Sequence, residues 1–203
     1  MTHENLISSF TAAVVDVRGG TYRGADIPVP GSANAHEIAK KLLDEESGAI
    51  IAANPIYGIA DLIALIVAES QDQLKATLRE SVRNLTMNER HNFIAGTATY
   101  IATEAYSKKP LTREGFSKLK PHSAWIKVQT VLHDPNQGVV QALMDMELVT
   151  AAIPVLGVAT DLFLLVEADN QNQFNWYMDE TLRAYRYITE TQTGIISVPA
   201  HME

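Results

Sequence analysis

No cysteine occurs in the 203 residues. That absence removes disulfide frameworks, thiolate zinc sites, iron–sulfur clusters, c-type haem attachment and cysteine nucleophiles together. Other signatures are missing too. No glycine-rich phosphate loop is present, and the six histidines are scattered: His36-Glu37 lacks the second histidine of a metalloprotease helix, and no Glu-x-x-His suggests a di-iron bundle. There is no Gly-x-Ser-x-Gly elbow and no Asp-Thr-Gly or Asp-Ser-Gly. These absences lead to an expectation of no metal and no cofactor. The stretch from Met1 to Phe10 carries Glu4 and polar residues where a secretory leader needs a basic start and a long apolar run. The expected location is cytoplasmic, or a particle assembled there.

What is present is a chain that is 46% hydrophobic and 20% charged, enough to bury one sizeable core or two small ones. Its net charge of -8 disfavours coating of nucleic acid along the whole chain. Self-comparison gives the clearest signal. Ala52-Ala53-Asn54-Pro55-Ile56-Tyr57-Gly58-Ile59-Ala60 matches Ala151-Ala152-Ile153-Pro154-Val155-Leu156-Gly157-Val158-Ala159 at an offset of 99. After one inserted residue, Thr160, the offset is 100: Asp61-Leu62 meets Asp161-Leu162, and identity returns at Leu65/Leu165, Ala68/Ala168, Gln71/Gln171, Gln73/Gln173, Glu80/Glu180 and Arg83/Arg183. Two copies of one supersecondary unit, packed about a pseudo-twofold axis, follow from this match.

Local patterns divide the chain into an amino-terminal β-hairpin or arm (1–35), a first helical repeat (36–106), a basic connector with one helix near Ser123 to Leu132 (107–136), and a second helical repeat with a carboxy-terminal arm (137–203). Thr11 to Val17 and Thr21 to Val29 are β-compatible runs around Gly19-Gly20, which suits a tight turn. A first helix is expected near Asn34 to Glu45. Leu62 to Ala68 and Leu162 to Val166 are apolar on all sides and read as buried helical segments. Ser70 with Gln73, and Asn170 with Gln173, have capping-box spacing. Leu74, Leu78, Val82 and Leu85, and Phe174, Met178, Leu182 and Tyr185, then recur at amphipathic helical spacing. The fold class expected is mainly α, with two pseudo-symmetric helical repeats and a small amino-terminal β-hairpin.

Three groups of residues are candidates for function. Asp61 and Asp161 occupy equivalent places in the most apolar stretch of each copy; a pair brought together on the axis would share a proton, whereas separate ones would cap the helices that follow. Glu69 and Asp169 lie near enough in sequence to support such a pair. Secondly, Lys108, Lys109, Arg113, Lys118, Lys120 and Lys127 stand against Glu114 alone between Ser107 and Lys127, a local charge of +5 in an acidic chain. With Phe116 and Trp125 interleaved, that stretch suits a phosphate backbone, a solvated connector or an acidic face of a second copy. Thirdly, Trp176, Tyr177, Tyr185 and Tyr187 cluster in the second copy only, as an interface or as packing against the hairpin would require.

The function expected on this basis is that of a non-enzymatic, self-assembling subunit of a homo-oligomer, filament or particle. The alternative is a small-molecule enzyme or binder with its site between the repeats around Asp61 and Asp161. A lesser alternative is a membrane-inserting helical hairpin formed by Ala49 to Ala68 or Leu148 to Val166, disfavoured by the aspartate inside each.

Overall fold

The computed structural model describes residues 11–23, 27–30, 35–82, 93–131, 137–156 and 159–197. The chain runs β1 (Thr11–Arg23), β2 (Ile27–Pro30), α1 (Ala35–Leu43), β3 (Ile50–Tyr57), β4 (Leu62–Ala68), α2 (Gln71–Thr77, continued by a π-helical turn Leu78–Val82) and β5 (Phe93–Ala102). A connector holds β6 (Tyr106–Ser107) and the short helix α3 (Arg113–Ser117). Then follow β7 (His122–Thr130), α4 (Gln137–Met144), β8 (Val149–Leu156), β9 (Leu162–Ala168), α5 (Gln171–Trp176, continued by a π-helical turn Tyr177–Leu182) and β10 (Ile188–Ile196).

Each half is a βαββαβ unit, with strand order β5-β1-β4-β3 in the first and β10-β7-β9-β8 in the second. Two seams join them. Tyr57 and Ile56 of β3 pair with Ile195 and Ile196 of β10, while Ile101 and Ala102 of β5 pair with Leu156 and Val155 of β8. The result is a closed eight-stranded barrel, with β2 flanking β1 and β6 flanking β8. Closure is made over short stretches, so each strand at a seam pairs with the other half only near one end. Every neighbouring pair is antiparallel. Equivalent strands lie four steps apart and therefore run the same way, so the pseudo-twofold axis runs along the barrel.

The mainly α expectation is therefore overturned: the fold is dominated by antiparallel sheet. Leu62–Ala68 and Leu162–Ala168 are strands, and apart from Glu167 they are apolar on both faces because one face lines the barrel and the other lies under helices. A short apolar run buried on both faces has no periodicity to separate strand from helix. Likewise, the helix expected near Ser123 to Leu132 is strand β7 as far as Thr130, and Leu132 lies outside the described residues. Gly19-Gly20 makes no turn. Both glycines sit within the long strand β1, where the register with β5 shifts between Arg18 and Gly19. The carboxy-terminal arm is the end of β10.

The helices that do form follow their sequence signals. In α2, Ser70 Oγ accepts from Gln73 N at 3.1 Å while Gln73 Oε1 accepts from Glu69 N at 2.7 Å. Asn170 and Gln173 repeat this in α5, at 2.9 and 3.1 Å. Each reciprocal cap satisfies amide donors that the helix start leaves open. Leu74 and Val82 pack on the outer face of the first sheet with α1, and Phe174, Met178 and Leu182 pack on the second with α4. Leu85 and Arg83 of the repeat lie outside the described residues.

A third core fills the barrel, where Val14, Ile63, Leu65, Trp125, Ile153, Phe163 and Leu165 meet. Trp125 also donates from Nε1 to Asn54 Oδ1 of the other half at 2.9 Å. Ala105 and Phe116 of the connector join the same cluster, so the connector packs against the barrel's contents.

The seams are narrow enough for single glycines to matter. Gly58 has φ of +124°, and a Cβ there would lie 2.6 Å from the Thr193 carbonyl oxygen of β10. Gly48 also has a positive φ, +68°, but has open space around it. Urea denaturation is expected to show Gly58→Ala losing roughly 2–5 kcal/mol through strain and overlap together. Gly48→Ala should lose only about 1–2 kcal/mol from the left-handed backbone.

Candidate functional site

The register places two oppositely charged residues on the internal axis. Asp16 of β1 pairs with Ile63 and Lys127 of β7 pairs with Phe163. Ile63 and Phe163 are equivalent residues of the duplication, so Asp16 and Lys127 occupy equivalent positions. Their side chains form an ion pair across the barrel between the halves. Both belong to strands whose inward face is otherwise apolar, with Val14 two residues before Asp16 and Trp125 two residues before Lys127.

The pair is nearly enclosed, with Asp16 7% exposed and the Lys127 side chain 11%. Lys127 Nζ lies 3.5 Å from the Tyr100 hydroxyl and sits 5.3 and 5.9 Å from the Tyr100 and Phe163 ring centres. Those rings meet edge to face at 5.1 Å. Cation–π attraction therefore adds to the ion pair. Burial raises the Asp16 carboxyl above its ordinary 3.8, and the Lys127 ammonium only partly offsets that rise. One Asp16 oxygen, Oδ1, has no hydrogen-bond partner. A shielded carboxyl with one open oxygen and a raised proton affinity has the features expected of an acid–base group.

Asp61 and Asp161 lie in the β3–β4 and β8–β9 turns, at the same end of the barrel. Asp61 N donates to the Val17 carbonyl at 3.2 Å, and Asp161 N to that of Val128 at 2.9 Å. Val17 and Val128 directly follow Asp16 and Lys127, so the turns rim the end near the ion pair. The two aspartates themselves sit on opposite sides, with two strands between their turns in either direction. Neither precedes a helix; a strand follows each. The buried Asp161 carboxylate accepts from Thr130 N at 2.6 Å and from Thr130 Oγ1 at 3.1 Å, which ties its turn to β7. Glu69 and Asp169 lie beyond the far ends of β4 and β9, at the caps of α2 and α5, away from these turns.

The basic connector is folded against its own molecule. Lys109 reaches Glu167 Oε1 at 2.7 Å and the Lys118 carbonyl at 2.9 Å, Lys120 Nζ meets Asp169 at 2.8 Å, and Lys108 Nζ donates to the Met146 carbonyl at 2.8 Å. Arg113 donates to the carbonyls of Ile50 and Glu45. Lys118 takes part in these contacts through its backbone carbonyl. Trp176 is 63% exposed, whereas Tyr177 is buried, with its hydroxyl on the Met146 sulfur and its proton affinity raised by burial. Among the described residues no group of histidine and acidic side chains is arranged to hold a metal. No helix among them is long and apolar enough to cross a membrane, and the two segments considered as inserting helices are β-hairpins.

No protein-family model and no curated protein matches the sequence. Solved structures do match in shape. The siroheme decarboxylase NirDL superposes over 97% of this chain and 74% of its own, with a TM-score of 0.57 at 5% identity. A chlorite dismutase variant from Candidatus Nitrospira defluvii covers 93% of this chain and 91% of its own, with a TM-score of 0.51 at 17% identity. The fold is chlorite-dismutase-like. A Lactobacillus acidophilus protein provisionally named a monooxygenase shares it, at TM-score 0.52 and 6% identity over 94% of both chains. These similar chains are named as enzymes, and a non-enzymatic assembly subunit is not what the likeness supports. The expectation rested on missing motifs and on a basic connector suited to an acidic face of a second copy, but Lys109 and Lys120 of that connector meet Glu167 and Asp169 of their own chain.

Sequence reasoning overlooked Asp16, and it placed Lys127 in a surface patch. The available signal was one charged residue within each of two otherwise apolar strand-like runs, Ala12 to Val17 and Ala124 to Val128. Breaking the pair should be costly. Lys127→Met is expected to lose about 3 kcal/mol in urea denaturation, the low end for a buried pair because Asp16 then protonates. Adding Asp16→Val should recover most of it. Because its folded-state proton affinity is raised, Asp16's contribution to stability is full below 3.8 and is lost as pH rises through the folded value. Asp16→Asn should flatten that limb of the stability–pH curve.

Proposed function

We propose that this chain is an enzyme acting on a small molecule, with Asp16 as its acid–base group, paired with Lys127 and flanked by Tyr100 at the turn end of the barrel. The observation that carries the reading is the nearly enclosed Asp16–Lys127 pair on the pseudo-twofold axis, with Asp16 Oδ1 left without a partner. Equivalent residues of a duplicated fold converge at such an axis, and ligand sites are commonly found between the units of a fold. The enzyme names of the similar folds agree with this reading, but their substrates, siroheme among them, are not transferred at 5–17% identity.

In this reading Lys127 holds the Asp16 carboxylate in one orientation and offers positive charge to an anionic group on the substrate. Asp16 Oδ1 takes a proton from the substrate or, once protonated, returns it. Tyr100 places a hydroxyl beside both. Apolar neighbours such as Phe163 and Ile63 exclude water, which strengthens each electrostatic contact.

The test uses the intact chain and fractions of a soluble metabolite extract, followed by mass spectrometry and by the carboxyl-carbon signal of Asp16. The expected result is time-dependent conversion of a compound by wild type, its loss in Asp16→Asn at unchanged far-ultraviolet circular dichroism, and a carboxyl signal that titrates above 3.8 and shifts with the active fraction. Equal conversion by Asp16→Asn overturns the proposal. So does an Asp16 signal that titrates at the ordinary value and moves with no fraction.

A further inference from the structure

A second site lies outside the barrel, on the first half only. A cleft of about 270 Å³ opens between the α2 helix with its π-helical turn and the outer face of β5, lined by Lys75, Leu78, Arg79, Val82, Thr97 and Thr99. Its chemistry is divided. Leu78 and Val82 give an apolar floor, Thr97 and Thr99 give two exposed hydroxyls on one strand face, and Lys75 and Arg79 stand one helical turn apart at the mouth.

Comparison between the halves shows which of these features the fold itself requires. The register equates Thr97 and Thr99 with Thr191 and Thr193, because their partners Val17 and Val15 on β1 correspond to Val128 and Ile126 on β7. The apolar floor is matched by Met178 and Leu182. The cations are not matched: Asn175 stands in place of Lys75 and Asp179 in place of Arg79, and Asp179 is ion-paired to Arg183 at 2.8 Å. The second half thus folds the same way without the positive charge. In the first half Arg79 has no ion-pair partner among the described residues, and Lys75 has only an exposed one, Asp72 at 3.6 Å. Such a surface pair is weak and leaves Lys75 available to another anion.

We infer that this cleft binds a small amphipathic carboxylate, its anionic end on Arg79 and Lys75, with help from the threonine hydroxyls, and its apolar body on Leu78 and Val82. An arginine fork matches a carboxylate through two parallel hydrogen bonds, which a lysine alone cannot offer. The volume is slightly below the usual range of about 300–1,000 Å³ for ligand pockets, which sets the ligand's size near that of a single ring with a short acid arm. The site is separate from the barrel interior and does not depend on the acid–base role of Asp16.

The test is titration of the intact chain, by calorimetry and by amide chemical shifts, with phenylacetate, phenylacetamide and inorganic phosphate. Phenylacetate is expected to bind and to shift amides along Lys75–Val82 and Thr97–Thr99. Arg79→Gln, an exposed change that leaves the fold intact, should weaken it by about tenfold or more, as loss of a charge-assisted bond does. Phenylacetamide should bind at least about tenfold more weakly for the same reason. Asp16→Asn should bind phenylacetate like wild type, which separates failure at the barrel from failure at the cleft. Absence of phenylacetate binding, binding unchanged by Arg79→Gln, or phosphate binding as tightly as phenylacetate would each overturn the inference.

Discussion

Closure of two four-stranded sheets into one barrel is the constraint on which the rest of the structure depends. Each sheet is covered on its outer face by its own helices, and its inner face has nothing to bury against except the other half. Among the described residues each seam has two paired positions and one further backbone hydrogen bond, Ser197 N to the Pro55 carbonyl and Thr103 N to that of Pro154, so much of the cohesion between the halves must come from the interior. Trp125 and Phe163, both fully buried, anchor that interior, and burial of a side chain such as Phe163 contributes about 1.5–3 kcal/mol. The connector completes the arrangement. Phe116 packs on the barrel's contents while Arg113 and Lys108 tie it to backbone carbonyls on either half.

The same constraint explains why polar groups inside the barrel come in linked sets. The Glu167 side chain is 1% exposed and is held by Lys109 and by the Lys120 amide, with Oε2 left unpartnered. Trp125 and Asn54 satisfy one another across the halves. A charge enclosed without a partner would cost several kcal/mol, roughly what a small domain has to spare. The local +5 of the connector is thus largely a requirement of the fold: Lys109 and Lys120 answer Glu167 and Asp169, acids that the second half carries at the end of β9 and just past it.

How much of this the sequence discloses depends on what each residue was selected to satisfy. The duplication, the caps at Ser70 and Asn170, and the helical stripes from Leu74 and Phe174 were readable because helix starts and helix faces have their own local chemistry. The strands were not. Ile50–Tyr57 and Leu62–Ala68 are buried on both sides, so the alternation that marks a strand is erased, and the prolines at 55 and 154, which pair with Leu62 and Leu162 in the ladder, are of a residue type that central strands seldom hold. The site was hidden for another reason. The repeat shows at offsets of 99 and 100, whereas Asp16 and Lys127 are 111 residues apart because the segments after them differ in length. Only the paired register of β1 with β4 and of β7 with β9 reveals them as equivalents.

That equivalence carries a physical consequence of having both halves in one chain. Two identical subunits meeting on a true twofold axis must present the same residue to itself, so a position like Asp16 would face a second aspartate and one like Lys127 a second lysine. Either like pair, enclosed at this depth, would be forced to neutralise one member by a large shift in proton affinity. Duplication within a single chain releases that restriction, since the halves can change independently while the seams and cores keep their geometry. Opposite charges can then occupy a place on the axis where equivalent residues touch. The cations of the first half's outer cleft, set against Asn175 and Asp179 in the second, follow from the same freedom: the symmetric parts of the molecule hold the barrel together, and its distinctive chemistry appears where the halves have stopped being alike.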